Sequence, residues 1–78
     1  MNRKPVEGQK VRLNNYGIEC MSKFYDKKIN EKVKETIFTV LSVTKPTYLD
    51  HYGLWYVKVN NDQLNRCELN SLFFDAID

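Results

Sequence analysis

The sequence predicts a small, mainly β domain, and three observations carry that prediction. Short stretches of apolar and polar alternation recur along the chain, Asn, Gly and Pro punctuate them, and one β-branched run stands near the middle. The 78 residues leave room for a single core. Residues 1–78 are therefore expected to form one domain, with a flexible lead-in over 1–6 and the ordered body over 7–74. Apolar residues make up 42% of the chain and aromatics 13%, enough to fill that core and to exclude disorder along the whole length.

The elements follow in order. Glu7 and Gly8 lead into Lys10-Val11-Arg12-Leu13, where Val11 and Leu13 share one side and Lys10, Arg12 and Asn14 the other, a half-buried strand closed by a turn at Asn14–Gly17. Residues 18–35 carry two patterns. Met21, Tyr25, Ile29 and Val33 recur every fourth position, with Lys23, Lys27 and Lys34 opposite and Ser22 as a cap, whereas from Lys28 onward Ile29 and Val33 also fit period two. A short helix over 21–29 followed by an extended return accommodates both. Residues 36–44 are β-branched and apolar on both faces, which predicts a central strand with little solvent contact. A loop over 45–53 follows, then a strand over 54–59 with Trp55, Val57 and Val59 on one face. Asn60-Asn61-Asp62 reads as a hairpin turn, residues 64–68 as a short strand with Cys67 and Leu69 inward, and Asn70–Phe73 as one helical turn that drops Leu72 and Phe73 onto the core.

Glu7-Gly8-Gln9-Lys10-Val11-Arg12-Leu13 at the entrance, Gly53-Leu54-Trp55-Tyr56-Val57 in the third strand and Glu68-Leu69-Asn70-Ser71-Leu72 at the exit together resemble the SH3-like small barrel, over residues 6–74. The resemblance implies a five-stranded barrel with a long loop after strand 1, carrying a short helix, and a terminal helical turn. The entrance strand is similar to that of KOW-type modules of transcription and ribosomal proteins, with the turn glycine displaced to Gly17. Barrels of this shape serve peptides, nucleic acids and subunit interfaces alike, so function has to come from a site.

Charge supplies the first candidate site. The net charge is +2, but residues 1–34 hold nine Lys/Arg against four Asp/Glu, and residues 35–78 hold three against six. Lys10, Arg12, Lys23, Lys27, Lys28, Lys32 and Lys34 can meet successive phosphates, with Phe24 and Tyr25 interleaved for stacking on bases. The same lysines, interrupted by Asp26, Glu31 and Glu35, also suit an ordinary solvated surface. The second candidate is Tyr48-Leu49-Asp50-His51-Tyr52. There Tyr48, His51 and Tyr52 form an aromatic loop able to receive a partner protein, or equally to cap the open end of a barrel.

Catalysis and cofactors are not expected. His51 is the lone histidine, Cys20 and Cys67 are 47 positions apart, and neither metal-ligand spacing nor a nucleophile-base set is present, so the thiols read as free. No apolar run approaches the roughly 20 residues of a membrane span. The expectation is a cytoplasmic, non-enzymatic binding module, monomeric or weakly dimeric, without membrane contact. It contacts nucleic acid or a protein of the transcription, translation or replication machinery. The alternative is a protein-interaction module, a small inhibitor or accessory subunit that binds through its aromatic loop or sheet edge. Eight Asn, nine Lys and only three Arg suit an AT-rich coding sequence, as in a phage, acting in its host's cytoplasm, or a low-GC bacterium.

Overall fold

In the computed structural model, which describes residues 4–24, 31–45 and 54–77, the first alternating stretch is strand β1 (Lys10–Leu13). Val11 and Leu13 are buried while Lys10 and Arg12 are exposed, as a period of two demands. Strands β2 (Phe38–Thr44), β3 (Tyr56–Val59) and β4 (Phe74–Ala76) join it in one antiparallel sheet of order β3-β2-β1-β4. The inner face carries Val11, Leu13, Phe38, Val40, Val57, Val59 and Phe74. Over it pack Cys20 and Met21 from helix α1 (Asn15–Phe24), and Leu64, Leu69 and Phe73 from the C-terminal third. A second helix, α2 (Glu31–Glu35), lies against β1 and adds Val33 to the margin of the core.

The β content stands as expected, but the described residues form a four-stranded sheet with two helices. The stretch 64–68 is not a strand: Leu64–Arg66 is a 3-10 turn, and what remains of the pairing is one bridge between Tyr56 and Asn70. Asparagine chemistry explains the change. Asn61 Oδ1 accepts the Leu64 N–H at 3.0 Å, winding the chain into a turn instead of a hairpin, and Asn60 turns back so that its Oδ1 accepts the Thr39 N–H at 2.8 Å. Leu69 is buried and Cys67 half-buried.

The helix begins at Asn15, not near Met21. Asn14 is its cap, with Oδ1 accepting the Gly17 N–H at 2.8 Å, so the residues expected to close a turn instead start a helix. Gly17, Cys20 and Met21 form the buried stripe at helical spacing. The return expected to be extended is helical in α2; Tyr25 and Ile29 fall outside the described residues. Gly17 is where α1 meets the 3-10 turn Ser71–Phe73, for a Cβ there would overlap the Phe73 carbonyl oxygen and stand 2.9 Å from Phe73 Cα.

Four further expectations change. Strand β2 is central in the sheet but buried on one face only: Ile37 just ahead of it and Leu41 within it are 52% and 54% exposed. A bulge between Val40 and Ser42 explains Leu41, the extra residue being turned out of the ladder. In the terminal turn Phe73 reaches the core, but Leu72 is 37% exposed. Trp55 precedes β3 and is half-buried, with the Lys4 and Lys45 ammonium groups 4.9 and 5.8 Å from its ring centroid. Within the lead-in, Pro5 is fully buried.

Candidate nucleic-acid interface

With Val11, Leu13, Val40, Val57 and Val59 committed to the core, alternation sends their neighbours to the opposite face. That outer face carries Lys10 and Arg12 from β1, Thr39, Ser42 and Thr44 from β2, and Tyr56 and Lys58 from β3. Lys10 stands opposite Thr39 and its Nζ donates to Thr39 Oγ1 at 2.6 Å. Arg12 stands opposite Asp75 of β4, the acid that the strand pairing brings to this row. Ser42 faces Lys58 and Thr44 faces Tyr56. The result is a face with three cations, hydroxyls between them, one phenol ring and the half-exposed Ile37 and Leu41, on a backbone fixed from beneath.

The remaining expected cations are placed differently. Lys32 and Lys34 lie on α2 beside β1, Lys32 exposed and Lys34 paired with Glu31 at 3.1 Å. Such a surface pair is weak and does not remove Lys34 from reach of a polyanion. Lys23 is in the last turn of α1, where it lines a groove with Tyr16, Glu19 and Cys20, away from the sheet face. Lys27 and Lys28 lie outside the described residues, as do Tyr48, His51 and Tyr52 of the aromatic loop. Lys58 is the cation that the charge tally passes over. Its signal is the alternation Tyr56-Val57-Lys58-Val59, which puts it on the face of Lys10 and Arg12.

Two grooves of about 250 Å³ each meet at Tyr56, the first bordered by residues of this face and the second by residues of α1 and the terminal turn. One is lined by Ser42, Thr44, Tyr56, Lys58, Cys67 and Glu68. The other is lined by Tyr16, Leu54, Tyr56, Glu68, Asn70 and Phe73. In the second, the Tyr16 and Phe73 rings meet edge to face with centroids 5.9 Å apart. Cys20, one helical turn on, holds the Tyr16 phenol above its ordinary value, first through their side-chain hydrogen bond, then through the repulsion between phenolate and thiolate, with burial adding to it. Both cysteines are free thiols, Cys20 buried and Cys67 half-buried. Among the described residues no three His, Cys, Asp or Glu side chains come together as a metal site, and no helix is long and apolar enough to cross a membrane. No protein-family model matches the chain, and no curated protein or solved structure matches it significantly.

Proposed function

We propose that the protein is a small non-enzymatic binding module that contacts nucleic acid, or a complex that handles it, through the outer face of its sheet. The observation that carries this reading is the alternation of β1: Val11 and Leu13 are locked in the core, so Lys10 and Arg12 are held outward on a rigid strand with Lys58 on the same face. Cations fixed in this way neutralise phosphates with little loss of backbone freedom, while Thr39, Ser42 and Thr44 supply hydroxyl donors between them. The bridge from Tyr56 to Asn70, followed by a 3-10 turn and a last strand returning to β1, supports reading the fold as a small SH3-like barrel whose fifth strand has shrunk to one pair.

The test is a titration of labelled single- and double-stranded DNA and RNA over a range of salt, with the wild type and with the Lys10→Gln, Arg12→Gln, Lys58→Gln triple variant. Three phosphate contacts require a log–log salt slope of about −2 to −3, and the triple variant must lose most of it. Absence of binding by the folded wild type near about 50 mM salt rejects the reading.

Leu41 and Ile37 favour a second reading. Two large apolar side chains, each about half exposed at the central strand, suit a protein partner docked on the same sheet. A partner that stays bound to the chain after nuclease treatment, and is released by Leu41→Asp, supports it.

A further inference from the structure

Resting on the nucleic-acid reading, we infer that the two grooves on either side of Tyr56 form one track for an unpaired strand, with a base in each groove and the Tyr56 ring between them. Tyr56 and Glu68 line both grooves, so these are two compartments with a common wall rather than separate sites. Each compartment, at about 250 Å³, has room for a small planar group but not for a stacked and paired duplex within it. A base inside a duplex is stacked on both faces and paired along its edge, and only an unpaired one can enter a concave site.

The walls have the chemistry that an unpaired strand needs. Aromatic rings accept any base by stacking, and the track offers Tyr56 at its centre and Tyr16, 52% exposed, in the second groove. Ser42 and Thr44 line the first groove with hydroxyls that can meet a base edge. Lys58 is exposed at the rim of the first groove, where the sugar-phosphate backbone would leave it towards Lys10 and Arg12 on the same sheet face. Cation and aromatic thus border the same groove at Lys58 and Tyr56, the combination that lets a strand be held by its backbone and its bases together.

Fluorescence polarisation with a labelled single strand of mixed sequence and with its duplex tests the assignment, on the wild type, Tyr56→Leu and Lys58→Gln. Tyr56→Leu keeps apolar bulk and removes the stacking ring; Lys58→Gln alters an exposed side chain and guards against a folding defect in the first variant. The wild type should bind the strand at least about tenfold more tightly than the duplex, and Tyr56→Leu should erase most of that difference while leaving duplex binding nearly unchanged. Lys58→Gln should flatten the single-strand salt slope by about 0.7. Equal affinity for strand and duplex, unaffected by Tyr56→Leu, overturns the track and leaves the sheet-face reading standing. Failure to bind any oligonucleotide, with or without binding of a basic peptide in the same grooves, overturns both.

Discussion

The side-chain amide of Asn65 pairs with both backbone groups of Val59, its Oδ1 accepting the Val59 N–H at 2.9 Å and its Nδ2 donating to the Val59 carbonyl at 2.6 Å. One side chain thereby does for the edge of β3 what a neighbouring strand would do, and it stands where the expected strand over 64–68 is missing. Asn65→Ala leaves two backbone groups of a fully buried residue without partners. The expected loss is about 2–3 kcal/mol in urea denaturation. Asn65→Asp should fall at least as far, because a carboxylate keeps the acceptor but faces the Val59 carbonyl without a donor. An unchanged midpoint in both variants would show that the pairing does not form in solution.

Gly17→Ala should destabilise the protein although it lies inside a helix. Elsewhere in a helix the exchange gains up to about 1 kcal/mol. Here the added methyl meets the Phe73 backbone and forces α1 off the terminal turn, so the sign reverses, with a loss of about 1–3 kcal/mol. Thermal melts of Gly17→Ala beside an exposed control exchange within α1, Glu19→Ala, separate the packing effect from helix propensity.

Asn14 uses every polar group it has. Its N–H donates to the Phe73 carbonyl, its carbonyl accepts from Ile18, its Oδ1 caps α1, and its Nδ2 reaches the Leu72 carbonyl at 2.9 Å and Asp75 Oδ1 at 3.3 Å. Asn14→Ala is expected to cost about 1–2 kcal/mol. Asn14→Ser, which can cap the helix but cannot donate an amide hydrogen to both Leu72 and Asp75, should recover only part of it. Full recovery would mean that the cap alone accounts for the stability Asn14 contributes at this junction.

Alkaline titration followed by tyrosinate absorbance should reveal one phenol ionising above the ordinary value near 10.0, and Tyr16→Phe should remove it. The Tyr16 phenol is held protonated in the folded state, so its contribution to stability is complete below the unfolded pKa and is lost as pH rises through the higher folded one. Cys20→Ala should return the group to the ordinary range. A titration curve identical in wild type and Cys20→Ala would refute the thiol as the cause.

How much of this was legible depended on the range over which each feature is determined. The inward and outward residues of β1 and β3 follow from a period of two within four residues, and so do the outward positions of Lys10, Arg12 and Lys58. Asn14 and Gly17 misled because an asparagine that bends the backbone and one that caps a helix accept the same kind of hydrogen bond, and only the buried stripe Gly17, Cys20, Met21 distinguishes them. β4 is three residues long, and its existence rests on pairing with β1 some sixty positions away, which local composition does not encode. The shared wall at Tyr56 is longer-ranged still, since it requires residues 54–56 and 68–73 to close on each other.

The reliance on asparagine sets the chemical lifetime of the fold. Asn14, Asn60, Asn61, Asn65 and Asn70 each hold a backbone group with a side-chain amide. Spontaneous deamidation would replace such an amide with a carboxylate, and at Asn14 and Asn65 that erases a donor in use. While the hydrogen bonds hold, they restrain each amide, and a restrained amide is slower to close the succinimide ring through which deamidation proceeds. A molecule that unfolds transiently exposes several of these joints at once, so chemical ageing and loss of structure should accelerate each other.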